Sequence, residues 1–273
     1  MRRSLASVLR IGCGVYVGLC LVLYLGQDSL IFHPRALSDG VRRVARATPG
    51  VAEIDMTTRD GSRLHGWIRH TGDARPAPLV IYFGGNAEEV SGQILNASRL
   101  APWSVVAINY RGYGLSEGSP GEAELFADAL QVFDALAARQ DVDADRMVAF
   151  GRSLGTGVAV HLAANRPLQG IVLASPYDSL LSLARERYPF VPVSWMLEHR
   201  FDSLSRAPDI KAPVLMLAAQ RDALISPPHS RRLFEAWAGP KRWLEIPTAG
   251  HNDISSDEGY WSAIIAFLGS LGG

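Results

Sequence analysis

The stretch that most limits what this chain can fold into is Met147 to Leu162, Met-Val-Ala-Phe-Gly-Arg-Ser-Leu-Gly-Thr-Gly-Val-Ala-Val-His-Leu. A short apolar run reads as a buried strand, Gly151-Arg152-Ser153-Leu154-Gly155 follows with no spacer, and a helix of small residues leaves at once. Strand, Gly-x-Ser-x-Gly turn and helix in that order form a nucleophile elbow. Glycine is wanted at both ends because the serine sits at a strained backbone position and strand and helix must come close to hold it there. Ser153 Oγ is then expected to stand exposed at the carboxyl edge of a sheet. The competing reading is a helix-capping serine in a nucleotide-type α/β turn. The same five-residue pattern recurs at Gly114-Leu115-Ser116-Glu117-Gly118. There a glycine-containing linker separates it from the preceding strand and Ser119-Pro120 follows, so it reads as a loop.

At 273 residues, with 27 basic and 27 acidic side chains, the chain can bury a full core as one α/β domain. A neutral balance with scattered arginines argues against a nucleic-acid partner. Lysine occurs only at 211 and 241, which reads as genome composition. Both cysteines, Cys13 and Cys20, lie in the first apolar segment. The body that follows therefore has no cysteine for a disulfide, a nucleophile or a thiolate metal site.

Ile11 to Leu25 is an unbroken uncharged run, close to bilayer length if Val8 and Leu9 are counted, and Arg2, Arg3 and Arg10 precede it. Residues 1–27 are expected to form an uncleaved transmembrane anchor, with the N terminus cytoplasmic and the rest on the extracytoplasmic, periplasmic side. A cleaved signal peptide fits less well, because Tyr24-Leu25-Gly26-Gln27-Asp28 offers no small-x-small site. A buried core helix is the remaining alternative.

Residues 28–273 read as the catalytic domain. Val51 to Thr57 and Arg63 to Arg69, parted by Arg59-Asp60-Gly61, read as an edge hairpin. His65 and His70 there are surface or packing residues. Buried strands are expected at Pro78 to Phe83, Ser104 to Asn109, the elbow, Gly170 to Ala174 and Pro213 to Ala219, with a shorter one at Leu244 to Pro247. Helices are expected over Glu88 to Leu100, Gly121 to Arg139, Ser230 to Trp237 and Glu258 to Leu268. Strand, loop and helix in alternation predict a mostly parallel sheet with helices on both faces. Residues 175–212 break the pattern with a proline-interrupted apolar segment around Tyr188 to Met196, and are expected to form a small helical cap over the serine.

A serine hydroxyl needs a base within hydrogen-bond reach, itself oriented by a carboxylate. Along the chain the expected order is serine, acid, histidine. His161 falls inside the elbow helix, His199 in the cap and His229 at a helix start. His251 follows Thr248-Ala249-Gly250 just beyond the last strand, where it projects onto the serine's edge. Asp222 lies immediately after Pro213 to Gln220 and is the candidate acid, with Asp178 and Asp253 as weaker rivals. The negative oxygen of a tetrahedral intermediate must meet preorganised donors. The Leu154 amide at the helix N-terminus and the Asn86 amide after Gly84-Gly85 are the candidate oxyanion hole.

With these residues in order, the chain resembles the α/β-hydrolase-fold serine hydrolases. It is most similar to a membrane-tethered group that includes protein depalmitoylases and lysophospholipid lipases. The resemblance covers nearly the whole sequence: Gln27-Asp28 through Pro34-Arg35, Phe83-Gly84-Gly85-Asn86-Ala87, Tyr110-Arg111-Gly112-Tyr113-Gly114, the elbow, Ser175-Pro176-Tyr177, Arg200-Phe201-Asp202-Ser203, Asp222 and Gly250-His251-Asn252. It departs from the family at Gly84, where histidine is usual. The resemblance implies hydrolysis of an acyl ester or thioester, with a leaning toward lipid-derived substrates, through an acyl-enzyme on Ser153, with no metal and no organic cofactor. A serine peptidase and a non-catalytic tethered interaction protein are the alternatives.

Overall fold

The computed structural model describes residues 2–72 and 75–272. The chain begins with α1 (Arg2–Leu25), α2 (Gln27–Ile31) and α3 (Asp39–Ala47). The hairpin β1 (Val51–Thr57) and β2 (Arg63–Arg69) follows, then β3 (Ala77–Phe83), α4 (Ser91–Asn96) and β4 (Ser104–Ile108). Next come α5 (Glu122–Ala137), β5 (Val142–Arg152), α6 (Leu154–Asn165) and β6 (Gly170–Ala174). Between β6 and β7, in the segment expected as a cap, lie α7 (Leu180–Arg187) and α8 (Val193–Met196). The chain closes with β7 (Val214–Ala219), α9 (Pro227–Ala236), β8 (Lys241–Ile246) and α10 (Glu258–Ser270).

The strands form one 8-stranded sheet in the order β1-β2-β4-β3-β5-β6-β7-β8. β2 pairs antiparallel with both neighbours, and from β4 onward every pairing is parallel. Parallel strands joined by crossover helices must be covered on both faces, and β3, β4, β6 and β7 are buried at every position. Alternation along β3 shows the two layers: Leu79, Ile81 and Phe83 enter one apolar cluster, Val80 and Tyr82 the other. The sheet thus places the carboxyl ends of β5, β7 and β8 along one rim, where ligand sites form in α/β sheets.

Two strands run longer than the sequence pattern predicts. β5 starts at Val142, ahead of the apolar run, through a pairing with Ala77 and a register shift before Leu79. β8 starts at Lys241 because it is the edge strand, half exposed and so not apolar. The helix expected over Glu88 to Leu100 is shorter: α4 begins at Ser91 and gives way to a 3₁₀ turn over Ala97–Leu100. Glu88 and Glu89 stay outside it, their carboxylates bonded to Tyr82 and Asn109 respectively.

The N-terminal segment differs from expectation. Among the described residues no helix is long and apolar enough to cross a membrane, so the transmembrane anchor is not shown. The last turn of the apolar run is used within the protein. Gly26 ends α1, Leu23 and Tyr24 face the cap, and Gln27 donates to the Tyr24 carbonyl while its own amide oxygen accepts from Glu198 N. His199 Nε2 lies 2.9 Å from Asp28 Oδ1, and its ring edge meets Phe32. Further up α1, Val15, Val17, Leu19 and Val22 are exposed.

Candidate active site

Ser153 occupies φ +51°, ψ −119°, between β5 and α6. Non-glycine residues avoid this region, so surrounding packing must enforce it. The enforcement is visible at the two flanking glycines. A Cβ on Gly151 would run into the Gly155 carbonyl, and one on Gly155 into the Phe83 carbonyl. Strand, turn and helix are therefore pressed together as the elbow pattern requires. Ser116, of the second Gly-x-Ser-x-Gly match, lies in a loop and is buried. Its hydroxyl accepts from His65 N and donates to the Asn109 carbonyl, a purely structural use.

Three side chains distant in sequence meet at the rim. His251 Nε2 is 2.9 Å from Ser153 Oγ, and His251 Nδ1 is 2.7 Å from Asp222 Oδ2. The other carboxylate oxygen, Oδ1, accepts from Leu224 N at 2.9 Å and Ile225 N at 2.8 Å, which fixes the rotamer. Burial pushes the Asp222 carboxyl up, but the bonds from His251 and the Ile225 amide outweigh it and hold the group below the usual carboxylate range. An ionised Asp222 favours a proton on Nδ1 and leaves Nε2 as the acceptor facing the serine.

The rival acids are employed elsewhere. Asp253 Oδ1 accepts from Gly250 N at 2.6 Å and braces the histidine loop. Asp178 is buried against His229 and Arg232. The remaining histidines also stay away from the serine. His161 stacks on Phe126 at 3.9 Å, and burial together with Arg206 lowers it to about 4. His65 is buried, a packing residue as the sequence allowed, and His70 is partly exposed.

Asn86 and Leu154 both border the same small cavity as Ser153 and His251, a space of 210 Å³. Leu154 is the first residue of α6, so its N–H has no acceptor within the helix and points to where an anion is favoured. The Asn86 peptide is held from behind: its carbonyl accepts from His33 N at 2.9 Å and from Tyr113 Oη at 2.6 Å. Its side-chain amide donates to the Ile31 carbonyl at 3.2 Å.

The supporting residues could not be singled out from sequence. Tyr110 Oη donates to the Gly84 carbonyl at 2.9 Å, so the Tyr110-Arg111-Gly112-Tyr113 motif pins the loop after β3 at two points. Burial raises the Tyr113 phenol to about 12, which keeps it a donor. Within the same motif Arg111 pairs with Asp128 on α5 and with Asp60 in the hairpin turn. Glu88 closes the loop from the other side, accepting Gly85 N at 2.9 Å. The motif's presence in the sequence was the one available signal, but its partners lie on other elements.

Comparison with known proteins agrees with this architecture. The family described as serine aminopeptidase, S33, matches residues 75–180, which span β3 through the elbow to the start of α7. The uncharacterized protein Rv2307c of Mycobacterium tuberculosis is 35% identical over 238 residues, covering 86% of this chain and 84% of the relative. The α/β-hydrolase domain-containing protein WAV2 of Arabidopsis thaliana is 27% identical over 284 residues, 93% of this chain and 91% of the relative. Among solved structures, the Pyrococcus furiosus esterase Pf2001 superposes with a TM-score of 0.68 at 18% identity over 89% of this chain and 98% of its own. An acetyl xylan esterase from Paenibacillus sp. R4 gives 0.65 at 20% identity over 90% and 98%. At these identities the structures testify to fold. The fold is therefore the α/β-hydrolase fold, and the 35% identity along most of both chains shows that this chain belongs to one family with Rv2307c.

Proposed function

We propose that the protein is a serine hydrolase that cleaves carboxylic esters and thioesters through an acyl-enzyme on Ser153. The observation that carries this reading is the pair of contacts at His251, 2.9 Å to Ser153 Oγ and 2.7 Å to Asp222 Oδ2. In the proposed cycle Nε2 takes the Oγ proton as Oγ attacks the acyl carbon, and Asp222 stabilises the imidazolium. The oxyanion accepts from the Leu154 and Asn86 amides, and loss of one such donor costs about 10²–10³ in rate. The imidazolium then protonates the leaving alcohol or thiol, the acyl–oxygen or acyl–sulfur bond breaks, and water repeats the sequence to release the acid.

A peptidase is the second reading, favoured by the description of the family matching residues 75–180. The cavity at Ser153 speaks for esters instead. Apart from Asn86, Ser153 and His251 its walls are apolar or aromatic, among them Leu30, Ile31, Tyr177 and Leu180, and among the described residues that line it no acidic side chain is present to meet a peptide's terminal ammonium. The esterase neighbours, by their printed names, act on esters themselves.

A fluorophosphonate probe should label the wild-type chain and leave Ser153→Ala unlabelled. Equal labelling of the two would end the hydrolase reading and favour a non-catalytic interaction protein. Faster release of p-nitroaniline from aminoacyl anilides than of p-nitrophenol from esters would favour the peptidase.

The same proposal extends to location. The apolar side chains exposed along α1, together with Phe190 and Trp195 on the cap, support membrane association. The arginines before the apolar run support a cytoplasmic N terminus and an extracytoplasmic body. A C-terminal alkaline phosphatase fusion should be active, and an inactive fusion with a working cytoplasmic reporter would reverse the orientation.

A further inference from the structure

Beside the cavity at Ser153 lies a second, of 310 Å³, between the end of α1, α2 and the cap. The two share Leu30, Ile31, Leu180, Leu183 and Leu224 in their linings, so the second cavity directly adjoins the one at the nucleophile. The second cavity is lined almost throughout by carbon. Its Gln27 has both amide atoms engaged with the backbone, at the Tyr24 carbonyl and Glu198 N. Arg187, Tyr24 and Tyr188 are its other polar residues, and the rest of the lining is apolar. The space is therefore suited to an apolar occupant.

We propose that this cavity receives the acyl chain of the substrate, an unbranched fatty acyl group, and that the N-terminal helices form the wall that sets its length. The proposal rests on the Ser153 acyl-enzyme reading. Acyl chain rather than alcohol is assigned by the position of His251. The leaving oxygen must lie within reach of Nε2, and His251 borders only the cavity at Ser153. A group that stays bound through the acyl-enzyme belongs in the space away from the histidine, and a group that departs belongs beside it. A dry cavity of ~150 Å³ takes a six-carbon ring, so the observed 310 Å³ suits about a dozen carbons. Each methylene buried is worth about fourfold in affinity or specificity. Leu224 of its lining is 65% exposed, and Phe190 and Trp195, exposed at 87% and 90%, belong to the same chain segment as the lining residues Tyr188, Val191 and Met196, apolar surface from which such a chain can enter out of a lipid phase.

The test uses the full chain and p-nitrophenyl esters from acetate to laurate, each below its aggregation limit. Wild-type kcat/KM should climb with chain length by at least about a hundredfold, below the ceiling of about fourfold per methylene that complete burial of every one would set, and level off near decanoate. A series that is flat or falls beyond butanoate overturns the proposal. Leu23→Trp and Ala184→Trp fill the cavity from opposite walls, away from Ser153. Either should lower the decanoate-to-acetate ratio at least about tenfold while fluorophosphonate labelling of Ser153 persists, and a ratio unchanged in both overturns the assignment. Met196→Ala enlarges the space and should move the plateau to longer chains. Decanoate binding to the inert Ser153→Ala chain, followed by calorimetry, separates this proposal from the hydrolase reading. Binding that Leu23→Trp abolishes supports the cavity even if no ester is cleaved, and absence of binding overturns it even if esters are.

Discussion

Arg152 and Glu88, 64 residues apart in sequence, face each other across the elbow, with Arg152 Nη1 3.2 Å from Glu88 Oε2. The same carboxylate accepts Gly85 N and, through Oε1, the Tyr82 hydroxyl. Nη2 of the arginine extends to the His251 carbonyl at 3.5 Å. One guanidinium, placed by the residue before the nucleophile, thereby joins the loop after β3 to the loop that bears the histidine.

Removing that link should disturb both loops at once. Arg152→Met leaves the Glu88 carboxylate partly buried without its charge partner, and stability should fall by about 1–3 kcal/mol. With the loops loosened, kcat for a short ester should drop roughly ten- to a hundredfold with little change in KM. A variant with wild-type kcat would show that the loops hold their places without Arg152.

Asp222→Asn should keep the fold, because the Leu224 and Ile225 amides still find an acceptor in the asparagine oxygen. Turnover should fall about 10⁴-fold, since the carboxamide no longer enforces the productive tautomer of His251. Steady-state ester hydrolysis alongside circular dichroism checks both halves, and unchanged turnover would move the acid's role to another residue.

Tyr113→Phe removes the 2.6 Å donor to the Asn86 carbonyl and the acceptor for His33 N. The loss of stability should be about 1 kcal/mol. The kinetic loss should be larger, roughly tenfold or more in kcat, because the loop carries a proposed oxyanion donor. Equal labelling rates for variant and wild type would reduce Tyr113 to a packing residue.

His229 gives the stability of the cap a pH dependence. The ring lies between Asp178 Oδ1 at 2.8 Å and Glu186 Oε2 at 2.7 Å, with Ser182 Oγ at 3.1 Å and the Arg232 guanidinium also against Nδ1. Burial lowers the imidazole, but the two carboxylates outweigh burial and Arg232 and raise it above its ordinary value. A proton held more tightly in the folded chain stabilises it fully below pH ~6.5, and that stabilisation is lost as pH rises through the higher folded value. The Tm gap between wild type and His229→Gln should therefore shrink as pH rises above about 6.5. A gap independent of pH would mean that His229 acts through packing alone.

The sequence by itself determined the elbow, the buried strands and the order of serine, acid and histidine. These are short-range signals: β6 is an apolar run of strand length, and Gly151 and Gly155 mark a turn that no other residue permits. Edge and irregular segments were less legible, as at β8, where exposure removes the apolar pattern, and at the start of β5, where pairing with Ala77 extends a strand past its apolar stretch. Asp178 and Asp222 both sit past buried strands, and sequence ranked them without deciding between them. Tertiary structure decided, because only the fold shows that Asp222 reaches His251 while Asp178 spends its charge on His229 and Arg232. The apolar run at the N terminus is the sharpest case. Its composition speaks of lipid, yet whether its end faces a bilayer or closes a cavity depends on distant partners in the cap, as the contact of Gln27 with Glu198, 171 residues away, shows. Local patterning fixes what a segment can bury, and the surface available to bury it against is assembled only when the distant parts of the chain meet.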